Sequence, residues 1–210
     1  MDQLAEKLSS FKLVPVVVIN DAKKAVPLAH ALLENGCGCM EITFRTDSAA
    51  EAVSAIANGV PEMLVGAGTL LTPAQVVRAK AAGATFGVAP GFDPVVVKAA
   101  QENALPFVPG VSTAGEISRA LSLGCKFLKF FPAEAAGGVK MLKALMGAFR
   151  HTNVRIMPTG GINAANIGEW LKIPEVVACG GSWICESALI KSENWQEVGR
   201  RTREALSNLV

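Results

Sequence analysis

The chain has 210 residues, of which 50% are hydrophobic and 18% charged: enough apolar material for a sizeable core and too few charges for a disordered chain. Its 20 basic and 18 acidic residues are scattered and leave a net charge of +2, so no basic block exists to follow a nucleic-acid backbone. The longest apolar runs, such as VPVVVI, fall far short of the ~20 residues that span a bilayer, so neither a nucleic acid nor a membrane is an expected partner.

Met1 leads straight into DQLAEKLSSF, whose acids and lysine suit a short amphipathic helix and not a signal peptide, so a cytoplasmic protein is expected. From there short apolar runs alternate with helix-periodic segments. LVPVVVI and CMEITF come first, then the helical DSAAEAVSAIANG; MLVGAGT leads to TPAQVVRAKAAG, and TFGVAP to DPVVVKAAQENA. LPFVPGV is followed by STAGEISRALSLG, FLKFF and VRIMPTG by NAANIGEWLK, and VVACGG is the last strand. N-cap and terminal-glycine pairs bound three helices: Asp47 with Gly59, Thr72 with Gly83, Thr113 with Gly124. Strand and helix repeat about eight times with short connections and no linker. The pattern predicts an α/β chain folded as one (β/α)8 TIM barrel over residues 1–210, with a short N-terminal helix. An open doubly wound sheet is the rival, weakened because no glycine turn reads G-x-G-x-x-G between a strand and a helix.

Barrel chemistry gathers where strands end, and the polar residues are found there. In MEITFRT, strand alternation puts Met40, Ile42 and Phe44 on one face and Glu41, Thr43 and Arg45 on the other. In FLKFF the same parity turns Phe127, Lys129 and Phe131 inward. Lys129 can therefore share the interior with Glu41 and Arg45. Desolvation and a neighbouring cation favour a neutral amine that attacks a carbonyl, which is Schiff-base chemistry; a nearby carboxylate opposes it, so Glu41 is expected to stand slightly off or to act through a water. A plain ion pair between Glu41 and Lys129 is the competing reading.

Two glycine clusters, PTGGIN and CGGSWI, follow the last two strands, where such barrels usually bind phosphate through backbone N–H groups. Thr159 and Ser182 add hydroxyl donors to Gly160, Gly161, Gly180 and Gly181. GAGT sets Thr69 near the mouth, and VAPG sets Pro90 there. Five cysteines, with Cys37 and Cys39 the one close pair, and two distant histidines, His30 and His151, give no zinc or iron spacing. The thiols read as buried small apolar groups.

Taken in order, PVVVI, EITFRT, GAGT, PGVST, KFFPAE, PTGGI and GGSW closely resemble the 2-keto-3-deoxy-6-phosphogluconate (KDPG) and 4-hydroxy-2-oxoglutarate (KHG) aldolase family over the whole barrel. The resemblance implies a homotrimeric class I aldolase with no metal or other cofactor, which cleaves the phosphorylated keto-deoxy acid to pyruvate and glyceraldehyde 3-phosphate. Lys129 would form the Schiff base and Glu41 would be the general acid and base. Arg45 and Thr69 would hold the pyruvate carboxylate, Pro90 and Phe131 would wall the pyruvyl group, and Thr159, Gly160, Gly161, Gly181 and Ser182 would contact the distal part and its phosphate. Two positions depart from the family pattern: Ala89 stands where serine is expected before Pro90, and Ala114 follows Thr113 where proline is frequent. The alternatives are a phosphosugar isomerase or epimerase with Glu41 as base, and a non-catalytic sensor of phosphorylated ligands.

Overall fold

The computed structural model describes residues 2–207 and 209. Helix α1 (Asp2–Phe11) precedes strand β1 (Leu13–Val17), and α2 (Ala25–Leu33) returns the chain to β2 (Cys39–Thr43). Then come α3 (Ala49–Gly59), β3 (Leu64–Gly68), α4 (Pro73–Ala81), β4 (Phe86–Val88) and α5 (Pro94–Glu102). The fifth predicted strand occurs as two pieces, β5 (Phe107–Val108) and β6 (Gly110–Val111), broken at Pro109, which has no N–H to give a ladder. After α6 (Ala114–Ser122) follow β7 (Phe127–Phe130), α7 (Gly138–Phe149), β8 (Arg155–Pro158), α8 (Ile167–Leu171), β9 (Cys179–Gly181), α9 (Ser187–Lys191) and α10 (Trp195–Ser207).

The strands pair in parallel to make a curled sheet. Six run in the order β5, β4, β3, β2, β1, β9, and three run β6, β7, β8. Parallel bridges from Ile156 to Val176 and from Thr159 to Gly180 tie β8 to the β9 segment. No helix among the described residues is long and apolar enough to cross a membrane.

Strands buried along their length, such as β1 and β2, form an inner layer and the helices cover it. Inside the curl, the Phe86 ring takes the place of a side chain at Gly66, where a β-carbon would lie 2.2 Å from its Cζ. On the outer face Phe130 meets the fully buried Trp170 of α8, with ring centroids 6.1 Å apart. Each such aromatic, once buried, contributes about 1.5–3 kcal/mol of transfer free energy.

The helix boundaries follow local chemistry. Thr72 caps α4 by accepting from Gln75 N, and Asp93 caps α5 by accepting from Val95 N, each with proline at the first turn. Thr113 and Glu116 form a reciprocal capping box on α6. Gly83 and Gly124 follow their helices at φ +93° and +77°. The expected Asp47 cap is corrected: Ser48 stands at the cap of α3 without a side-chain cap bond, because its hydroxyl donates to Asn20 O instead. Gly59 is the last residue of that helix and not its left-handed terminator, since Val60 closes it. NAANIGEWLK yields only the short α8, because Asn163 and Asn166 use their side chains on a turn: Asn163 N donates to Asn166 Oδ1 and Ala165 N to Asn163 Oδ1.

Candidate active site

Lys129 lies on β7 in register with Gly110 and Met157, and its chain neighbour Phe130 points out to Trp170. Alternation therefore turns Lys129 into the curl, where it is 4% exposed. Glu41, on β2, is 0% exposed, and its Oε1 accepts from Lys129 Nζ at 3.4 Å. The other carboxylate oxygen, Oε2, has no hydrogen-bond partner among the described residues. Leaving such an atom buried costs about 1–3 kcal/mol or more, so folded proteins keep few of them.

The contact departs from the expectation that Glu41 stands off. Arg45 lies beyond the end of β2, is exposed, and directs its Nε to Thr69 Oγ1 at 3.4 Å, which leaves Lys129 as the cation that meets Glu41. The sheet also makes room for it. A β-carbon at Gly68, on the neighbouring strand β3, would lie 2.0 Å from Glu41 Oε1 and 2.6 Å from its Cδ. Glycine is thus required at position 68 if the carboxylate is to lie across β3. A lysine amine and a carboxylate held this close and this dry have the geometry for passing a proton between them.

Phe131 follows β7 and is half-buried, with its ring centroid 5.3 Å from Lys129 Nζ, within cation–π range. Pro90 is half-buried after β4, and its carbonyl lies against Gly110, where a β-carbon would be 2.2 Å from Pro90 O. Ala89 is buried and donates its N–H to Val108 O. Thr69 has φ +58°, an uncommon conformation for a β-branched residue that costs on the order of 1–3 kcal/mol. That strained turn presents the Thr69 hydroxyl to Arg45. Thr43 shares the Glu41 face but spends its hydroxyl on Val17 O, so it is structural.

The glycine clusters are unlike one another. Gly160 and Gly161 have φ +101° and +80°, so PTGG is a true left-handed turn. Thr159 is 6% exposed and its Oγ1 is buried without a partner among the described residues. It rests on Gly180, where a β-carbon would be 2.3 Å from that oxygen. Gly181 is buried beneath the indole of Trp183, and Ser182 is exposed. Direct contacts thus join Lys129, Glu41 and Phe131, and separately Arg45 with Thr69. The other predicted residues, Pro90, Thr159, Gly160, Gly161, Gly181 and Ser182, share the C-terminal end of the strands with them. Sequence reasoning missed Gly68 and did not see why Gly180 is glycine. Both signals lie across the ladder, in the pairing of β2 with β3 and of Thr159 with Gly180.

All five cysteines are free and buried. Burial pushes the Cys39, Cys179 and Cys185 thiols up, whereas the hydrogen bond from Cys39 draws Cys37 down. Among the described residues no three His, Cys, Asp or Glu side chains are grouped to hold a metal ion.

A family model described as aldolase, KDPG and KHG aldolase, matches residues 4–201. The chain is 48% identical over 204 residues to a 2-dehydro-3-deoxy-phosphogluconate aldolase of Haemophilus influenzae, covering 97% of this chain and 95% of that one. It is 42% identical over 199 residues to the KHG/KDPG aldolase of Escherichia coli K12, covering 95% and 92%. Among solved structures, the KDPG aldolase of Legionella pneumophila superposes with a TM-score of 0.92 at 39% identity, covering 96% of this chain and 97% of that one. That enzyme was captured with pyruvate as a covalent carbinolamine intermediate.

Proposed function

We propose that this chain, which belongs to the KDPG and KHG aldolase family, is a class I aldolase that cleaves 2-keto-3-deoxy-6-phosphogluconate to pyruvate and D-glyceraldehyde 3-phosphate and also splits 4-hydroxy-2-oxoglutarate to pyruvate and glyoxylate. The observation that carries the reading is the buried pair of Lys129 and Glu41 at 3.4 Å. The carbinolamine of the Legionella relative supports the same covalent route.

In this reading Glu41 takes a proton from Lys129, and the free amine adds to the C2 carbonyl to give a carbinolamine. Protonation of the departing hydroxyl by Glu41 releases water and leaves a protonated imine. Glu41, having given up its proton, then takes the proton of the C4 hydroxyl through a water, the C3–C4 bond breaks, and its electron pair moves toward the imine nitrogen to give an enamine and the aldehyde product. Protonation at C3 and hydrolysis release pyruvate and regenerate Lys129. Arg45 and Thr69 hold the carboxylate next to C2, since a guanidinium fork suits two carboxylate oxygens. Pro90 and Phe131 wall the pyruvyl methylene. Thr159, Gly160, Gly161, Gly181 and Ser182 receive the phosphate, a role supported by the left-handed PTGG turn and the unpartnered Thr159 hydroxyl. The indole over Gly181 makes that glycine a packing requirement as well.

The same reading takes residues 1–210 as one domain and the sheet as a closed (β/α)8 barrel, with β5 and β6 one strand interrupted at Pro109; the bridges between β8 and the β9 segment support closure. It takes the assembly as a homotrimer, supported by exposed Leu71 before α4, Val77 on α4 and Val95 on α5, which another copy would cover. A cytoplasmic setting suits five free thiols. No observation favours the isomerase over the aldolase. The test is pyruvate release from the phosphorylated acid by wild type and by Lys129→Ala. Turnover should fall on the order of a thousandfold or more, whereas a base-only isomerase would keep most of its own activity.

A further inference from the structure

Glu134 closes the KFFPAE segment just past β7, in contact with the PTGG turn on two counts. Its backbone N–H donates to Gly160 O at 3.0 Å, beside Ala133 N to Thr159 O at 2.8 Å. Its side chain packs on the turn so closely that a β-carbon at Gly161 would lie 2.6 Å from Glu134 Cγ. Its Oε1 accepts from the indole N–H of Trp170 at 2.8 Å and from Asn166 Nδ2 at 3.2 Å. Asn166 Nδ2 donates in turn to Gly161 O at 3.0 Å, so the carboxylate and the turn share one donor group.

A carboxylate so near a phosphate site is electrostatically adverse, which argues that it is retained for what it holds. The indole N–H on α8 belongs to a fully buried residue and needs an acceptor, and the same ring packs on Phe130, the chain neighbour of Lys129. Glu134 therefore links the strand that carries the nucleophile to the turn that receives the far end of the substrate. We propose that Glu134 is a positioning residue for the distal phosphate, fixing the Thr159–Gly161 turn relative to Lys129 through Trp170 and Asn166. The inference rests on the aldolase reading and adds the residue that sets its preference for a phosphorylated substrate.

The experiment compares wild type, Glu134→Ala and Glu134→Gln on 2-keto-3-deoxy-6-phosphogluconate and on 4-hydroxy-2-oxoglutarate, which has no phosphate, with inorganic phosphate as a competing inhibitor. Melting temperature reports whether each variant is folded. Glu134→Ala should raise KM for the phosphorylated acid about tenfold and weaken inhibition by phosphate to a similar degree, with cleavage of the unphosphorylated substrate within about twofold. Glu134→Gln keeps an acceptor oxygen and should recover most of the loss. Equal losses on both substrates, or none on either, in folded Glu134→Ala would overturn the assignment while wild-type cleavage kept the aldolase reading intact. Wild type that cleaves neither substrate would overturn both.

Discussion

The two ends of the strands differ in the way that matters for chemistry. At the N-terminal end lies a cleft of about 860 Å³ lined by Lys12, Lys126, Arg155 and Lys172, with Glu6 the one acid and Val176, Val177 and Leu171 as apolar wall. Lys126 and Arg155 are exposed, and Lys12 donates to Leu209 O. At the C-terminal end Lys129 and Glu41 are almost wholly removed from water, and Glu41 Oε2 and Thr159 Oγ1 have no hydrogen-bond partner among the described residues. That cleft thus lies at the end away from the buried Lys129–Glu41 pair. Volume reports where solvent fits; desolvated polar groups in contact report where protons can be moved. An unpartnered atom alone is not enough: Glu175 Oε2 is also buried and unpartnered near the N-terminal end, but its other oxygen accepts from Arg150, so the group is a structural ion pair. Glu41 differs because its partner is a lysine able to act as a nucleophile.

The sharpest way to break this contrast is to crowd the buried pair without touching it. Gly68→Ala places a methyl group where Glu41 Oε1 now lies, so the carboxylate must move. A displacement of about 1 Å from productive geometry costs on the order of a hundredfold, and kcat should fall by that much in a protein that still folds. Steady-state kinetics with circular dichroism on the same sample checks it. A kcat within threefold of wild type would mean that the position of Glu41 does not matter.

A smaller effect is expected at the rim of the same end. Thr113→Ala removes half of the capping box on α6 and should destabilise the protein by about 1 kcal/mol, read by denaturant unfolding, with KM little changed. Burial would raise the Glu116 carboxyl, but the N–H groups of Ser112 and Thr113 and their hydroxyls outweigh it and hold the group below its ordinary value. A lowered carboxylate contributes stability above the unfolded-state value, and that contribution disappears as pH falls through the folded-state value. The cap should therefore weaken in acid below about pH 4, and Glu116→Gln should flatten that part of the stability profile. Smallest of all, Arg155→Ala in the N-terminal cleft should alter stability by no more than about 0.5 kcal/mol and leave kcat and KM unchanged. A large loss of activity there would dissolve the distinction between the two ends.

Much of this contrast is legible in the sequence because it depends on local period. The eight apolar runs are strands, and parity alone turns Lys129 inward and Phe130 outward toward Trp170. What parity does not carry is who lies across the ladder. The direct contact of Glu41 with Lys129 depends on a missing side chain at Gly68, and the Thr159 hydroxyl depends on Gly180. In sequence Gly68 reads as part of the GAGT loop and Gly180 as part of a phosphate-binding glycine cluster. Asp47 fails as a cap because Ser48 takes the position, its hydroxyl drawn to Asn20 in another loop. Glu134 escaped notice for a related reason: its partners, Asn166 and Trp170, are more than thirty residues away, within a segment that reads as an ordinary helix.

The most direct test of the account is incubation with pyruvate and borohydride, followed by intact and peptide mass spectrometry. One reduced pyruvyl group per chain is expected, on Lys129, with no adduct in Lys129→Ala. No adduct in folded wild-type protein, or one on a different lysine, would make Lys129 and Glu41 a structural ion pair and contradict the central claim.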